Sequence, residues 1–113
     1  MKTYKIVRYD DRERKLEFTF NAISDFEITT GLSLVDMSGN KMGFSTLRAI
    51  IWAGLKEDDE TLTIKTTGEM LQKALQTGKI TLADLGKDIT DALIASGILK
   101  AKKSKEDKTE GNA

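Results

Sequence analysis

The side chains of this chain with the clearest chemical repertoire are carboxylates. Asp10-Asp11 and Asp58-Asp59-Glu60 are the two clusters in which neighbouring acids could share general acid and base work. That chemistry needs one carboxyl enclosed by apolar neighbours so that its pKa rises towards neutrality. Both clusters sit in strongly polar stretches with no such enclosure in sequence, so they read as solvated loop charge. Adjacent acids also lack the alternating ligand spacing and the turn glycine of a calcium loop. The chain has no His and no Cys, which removes an imidazole base, a thiolate nucleophile and the common zinc sites. Gly39 and Gly43 flank Asn40-Lys41-Met42, but no Lys-Ser/Thr pair follows and no hydrophobic strand precedes, so no phosphate loop is present. The expectation is a non-enzyme with no catalytic, cofactor-binding or metal-binding residue.

Binding is the remaining class, and charge narrows it. Lys and Arg together number 18 and so do Asp and Glu, a formal net charge of zero that gives no general reason to hold nucleic acid or an anionic membrane. Neutrality is uneven along the chain, however. Residues 1–20 carry six basic and four acidic groups, residues 21–99 seven and eleven, and residues 100–113 five and three. A mildly acidic body is thus expected between a basic start and a basic tail. The tail lysines 100, 102, 103, 105 and 108 alternate with acids and have no aromatic for base stacking, so a solubilising role is expected rather than RNA binding.

The N-terminus lacks the apolar stretch of a secretory signal, and the longest apolar run, Ala49 to Leu55, is far shorter than a membrane span. A cytoplasmic protein without membrane contact is the expectation.

Elements able to present a binding surface follow from hydrophobic period. Leu16, Phe18 and Phe20 alternate with Lys15, Glu17 and Thr19, a half-buried strand that pairs with Thr3 to Tyr9 as a hairpin over about residues 2–20. The charged stretch 10–14 reads as its solvated turn. From Asn21, taken as N-cap, Ile23, Phe26 and Thr30 fall on one helical face and Gly31 ends the helix. Leu32 to Val35 form a short segment, and a loop follows over 38–43. A second helix over about 44–55 places Phe44, Leu47, Ile51 and Leu55 on its stripe, with Ile50 and Trp52 to either side. Being apolar nearly all round, it is expected at the centre of the fold. A third helix is capped by Thr63, or by the alternative box Thr66 to Glu69, and has Ile64, Leu71, Ala74 and Leu75 inward until Thr77-Gly78. A fourth opens at Thr81, with Leu82, Leu85, Ile89, Ala92 and Leu93 inward and Gly97 as its stop. Residues 101–113 contain no large apolar side chain and are expected to be disordered. The fold class is α+β: one domain over 1–99, a two-stranded antiparallel hairpin packed on about four helices, followed by a charged tail.

Read together, these signals resemble the tail assembly chaperones of long-tailed bacteriophages and related prophages. Phe20-Asn21, Phe26-Glu27 and Thr30-Gly31-Leu32 resemble that family's first helix and its entry. Leu47-Arg48, Trp52-Ala53-Gly54-Leu55 and the acidic loop after them continue the resemblance, as do Leu62-Thr63-Ile64 and Gly68-Glu69-Met70-Leu71. Phe26 stands where many relatives carry Leu. The resemblance spans about residues 3–99 and implies no cofactor and no catalytic motif. It implies an escort for the tape measure protein, a long helical chain with apolar stripes, until tail tube subunits assemble around it. Such work needs a surface that accepts amphipathic helices. Phe44, Ile50, Trp52 and Ile94 are the expected partner contacts, the last because it projects away from its helix's apolar stripe. The free hairpin edge is an expected route to tube subunits or to self-association. The competing expectation is a generic protein-interaction or regulatory domain of a bacterial or mobile-element system.

Overall fold

A computed structural model describes residues 2–34 and 43–99. Strands β1 (Lys5–Val7) and β2 (Arg14–Leu16) pair antiparallel, with Lys5 opposite Leu16, Ile6 opposite Lys15 and Val7 opposite Arg14. Four helices follow: α1 (Phe20–Thr30), α2 (Phe44–Leu55), α3 (Ile64–Gln76) and α4 (Leu82–Ser96). This is the expected α+β arrangement, a two-stranded sheet packed on four helices. The expected tail over 100–113, the end of the short segment at Val35 and all of the expected loop over 38–43 except Gly43 lie outside the described residues.

Helix α2 is the centre of the packing. Ala49, Ile50, Ile51, Ala53, Gly54 and Leu55 are buried, and the helix touches α1, α3, α4 and β2. A helix with apolar groups all round can satisfy them only by being surrounded. One cluster of buried apolar side chains joins Val7, Leu16 and Phe18 from the hairpin to Phe26, Ile51, Leu71, Leu85 and Ile89 from the four helices. Gly54 sets the closeness of one contact. A Cβ there would stand 2.6 Å from Leu16 Cδ1 and 2.8 Å from Phe18 Cε1. The bare backbone lets the hairpin's chain reach the helix, and the Glu17 amide donates to the Gly54 carbonyl at 2.9 Å.

Helix ends obey local chemistry. Thr63 and Thr66 close a reciprocal capping box on α3, and Thr81 and Asp84 close another on α4. The alternative start at Thr66 is therefore displaced, because Thr66 serves as the partner of Thr63 inside the box. Gly31 and Gly97 end α1 and α4 with φ of 73° and 86°, a left-handed conformation costly for other residues.

Two expectations need correction at the hairpin exit. The cap of α1 is Thr19, not Asn21: its hydroxyl accepts the Ala22 amide at 3.0 Å. Starting earlier puts Ala22 and Phe26, one turn apart, in the core together, both at 0% exposure. Phe20 consequently leaves the strand alternation, becomes the first helical residue and is 82% exposed. Thr30, at the end of α1, is half-buried on the expected face, and its hydroxyl donates to the Phe26 carbonyl. On α4, Leu82 is largely exposed rather than buried.

The stretch 10–14 is not merely a solvated turn either. Arg14 belongs to β2 and is buried, held by Asp10 at 2.8 Å and by Asp59 at 3.0 Å. Lys5 bridges Asp88 and Asp91 of α4, and Tyr9 donates its hydroxyl to Asp88 at 2.8 Å. The uneven charge of the sequence thus has a structural use: basic hairpin side chains clamp onto the acidic helical body.

Candidate functional site

The carboxylate clusters turn out to brace the fold. Asp59 accepts hydrogen bonds from the Thr61 hydroxyl and amide and pairs with Arg14, which together lower its pKa to about 2. Asp58 accepts the Lys15 amide at 3.2 Å. Hydrogen bonding from Arg14 holds Asp10 below the usual carboxylate range. Carboxylates tuned this way stay ionised near neutrality and are poorly matched to proton transfer there. Among the described residues there is no group of three or more acids that could hold a metal ion.

The surface does contain a concavity, and it forms where α2, α3 and the start of α4 meet. Its volume is about 660 Å³, within the range of ordinary ligand pockets. Helix α2 contributes Phe44 and Ser45 from its first turn, then Leu47 and Arg48 from the next. Helix α3 runs along the length of the groove, presenting Lys65, Gly68, Glu69, Gln72, Leu75 and Gln76 at intervals of one, three and four residues. That spacing is one face of a helix. Leu71 of the same helix lies deeper, and Leu82 and Leu85 of α4 close one end.

Depth and exposure divide the lining into floor and rim. Leu71 and Leu85 are buried and Leu47 and Leu75 half-buried, which makes an apolar floor. Phe44 is 72% exposed and Leu82 46%, so two large apolar side chains stand open at one end. At the other end Arg48 and Lys65 are exposed and make no ion pair among the described residues. Gly68 admits the Arg48 stem against α3: a Cβ there would meet Arg48 Cδ at 2.9 Å. The lining thus combines an apolar floor with two cations at one end.

Of the four expected contacts, the structure brings only Phe44 to this groove. Ile50 is fully buried in the core, which removes it from any binding surface in this conformation. The flank it occupies is the one the fold covers. Trp52 is half-buried against the core; its indole Nε1 donates to the Leu62 carbonyl at 3.2 Å, and the Lys56 ammonium lies 5.8 Å from its ring centre. Ile94 is half-buried on α4 and does not line the groove. Sequence reasoning missed Arg48, Lys65, Gly68, Leu75 and Leu82 as groove residues. Arg48 carried a signal, being the sole charge within 47–55. Elsewhere, α1 exposes Phe20 and Ile28, both above 80%.

Compared with protein-family models, curated proteins and solved structures, the chain matches none. Among the described residues no helix is long and apolar enough to cross a membrane.

Proposed function

We propose that this chain is a tail assembly chaperone of long-tailed bacteriophages and related prophages, working in the host cytoplasm. It binds the tape measure protein and helps recruit tail tube subunits during tail morphogenesis. The observation that carries the reading is the groove between α2 and α3. A groove of about 660 Å³ with an apolar floor, and with Phe44 and Leu82 open at one end, suits the apolar stripe of an amphipathic helix. The resemblance stretches also have physical sense in this fold. Leu47-Arg48 line the groove, and Gly54 of the stretch Trp52-Ala53-Gly54-Leu55 is where Leu16 and Phe18 of the hairpin close on α2.

Co-expression with a long helical tape measure protein tests the reading. The wild-type chain is expected to keep the tape measure protein soluble, and Phe44→Asp together with Leu75→Asp is expected to abolish the effect. Phe44 is largely exposed and Leu75 half-buried, so circular dichroism is expected to remain that of the folded chain. A tape measure protein that stays insoluble with the wild-type chain, or that is rescued equally by the double variant, overturns it. In the first case a generic interaction domain with another partner becomes the better description.

A further inference from the structure

The groove has a direction. From Lys65 to Leu75 helix α3 rises about 15 Å, so the groove spans roughly ten residues of a docked helix, or three turns. Its two ends differ in kind. One is built from Phe44, Leu75 and Leu82 beside the neutral Ser45 and Gln76, and carries no charged side chain. The other is built from Arg48 and Lys65 around Gly68, where the Arg48 stem crosses α3. Lys65 sits in the first turn of α3, where the helix dipole favours an anion, and no acidic residue occupies that turn. Glu69 lies one turn further along and pairs with neither cation among the described residues, so this end keeps an excess of positive charge.

The geometry points to an occupant of matching asymmetry: an amphipathic helix with large apolar residues on about three successive turns and carboxylates at one end of that stripe. The inference rests on the groove being the docking site of the function proposed above, and it adds the charge pattern by which a segment would be recognised. Exposed pairs at a rim contribute modestly to affinity and more to register and orientation. Here two cations at one end would fix which way the helix lies. The apolar floor alone would accept either direction.

Two fluorescently labelled helical peptides of about sixteen residues test this directly. Both carry Leu at i, i+3, i+4 and i+7; one has a pair of Glu residues at one end of the stripe, the other has Lys there. At low salt the Glu peptide is expected to bind about tenfold tighter by fluorescence anisotropy, with the preference shrinking at high ionic strength. In the double variant Arg48→Glu, Lys65→Glu the preference is expected to reverse. Both side chains are exposed, so the variant is expected to keep the circular dichroism spectrum of the folded chain. Equal affinity for the two peptides, no binding of either, or an unchanged preference in the double variant overturns the inference. Failure of the chaperone reading looks different. Tape measure rescue that persists in the charge-reversed variant sinks only the charge pattern, whereas a discriminating groove without rescue sinks only the phage role.

Discussion

Replacing Gly54 by Ala sets two well-known effects against each other at one site. Helix propensity favours Ala by at most about 1 kcal/mol, and less near a helix end. Gly54 is the penultimate residue of α2, so the gain is small. Against it stands the added methyl group, 2.6 Å from Leu16 Cδ1 and 2.8 and 2.9 Å from Phe18 Cε1 and Cζ. Those side chains are themselves 0% and 1% exposed, packed within the core cluster. Relief requires the hairpin to retreat, which lengthens the 2.9 Å bond from the Glu17 amide to the Gly54 carbonyl. Overpacking of this kind costs about 1–3 kcal/mol. The net expectation is a loss of about 1–2 kcal/mol, or a fall in Tm of roughly 5 to 10 °C for a domain of this size. Gly86 supplies the control. It is an exposed interior position of α4 with nothing within 4 Å of a Cβ, so Gly86→Ala is expected to stabilise by up to about 1 kcal/mol. Urea unfolding followed by circular dichroism and by Trp52 fluorescence measures both. If the two substitutions shift the midpoint in the same direction, the hairpin does not seat on α2 as described.

Two further outcomes follow from buried polar groups. The Thr67 hydroxyl is fully buried and has no hydrogen-bond partner among the described residues, so Thr67→Val is expected to stabilise by about 1 kcal/mol in urea unfolding; an equal loss would mean that the hydroxyl has a partner. Asp59 has its pKa lowered from 3.8 to about 2, and Asp10 and Asp91 are lowered in the same sense. A depressed folded-state pKa gives stability that is fully present above the unfolded value and lost as pH falls through the folded one. Stability is therefore expected to drop between about pH 4 and pH 2, with a shallower drop in Asp59→Asn. An acid limb identical in that variant would refute the role given to Asp59.

What the sequence disclosed well was chemistry confined to a few neighbouring residues. Thr63 and Thr81 cap their helices and Gly31 and Gly97 end theirs, because a hydroxyl three residues from an amide or a glycine in a left-handed turn needs no distant partner. Helix α2 could be bounded at 44 and 55 and placed at the centre from its all-round apolar character. What was hidden depended on groups far apart in the chain. Arg14 looked like turn charge because Asp59, 45 residues away, is what permits its burial. Phe20 looked buried because strand alternation continues through it in sequence, while the cap chosen by Thr19 turns the backbone one step before it. The same limit explains the partner contacts. A helix apolar on every side does not say which flank its neighbours cover, so Ile50 and Phe44 were equal candidates until the hairpin and helices were placed around them.

Helix α2 also explains how one short chain can be firmly folded and still present apolar surface. Its two ends are treated differently. Near the C-terminal end, Gly54 receives Leu16, Phe18 and the Glu17 amide, and the loop that follows holds Arg14 through Asp59. At the N-terminal end, Gly43 offers no side-chain cap and Phe44 stands open over the groove. The stabilising contacts of the hairpin at Gly54 therefore lie about 15 Å along the helix from Phe44 and about 9 Å from Arg48 at the usual rise. Changes separated by that distance, with no shared partners, combine almost additively. Substitutions at Phe44, Arg48 and Lys65 should thus alter binding while leaving the clamp at Gly54 intact, and substitutions at Gly54 should alter stability while leaving the groove's shape intact. A chain built this way separates the contact that keeps it folded from the surface proposed to receive a partner helix.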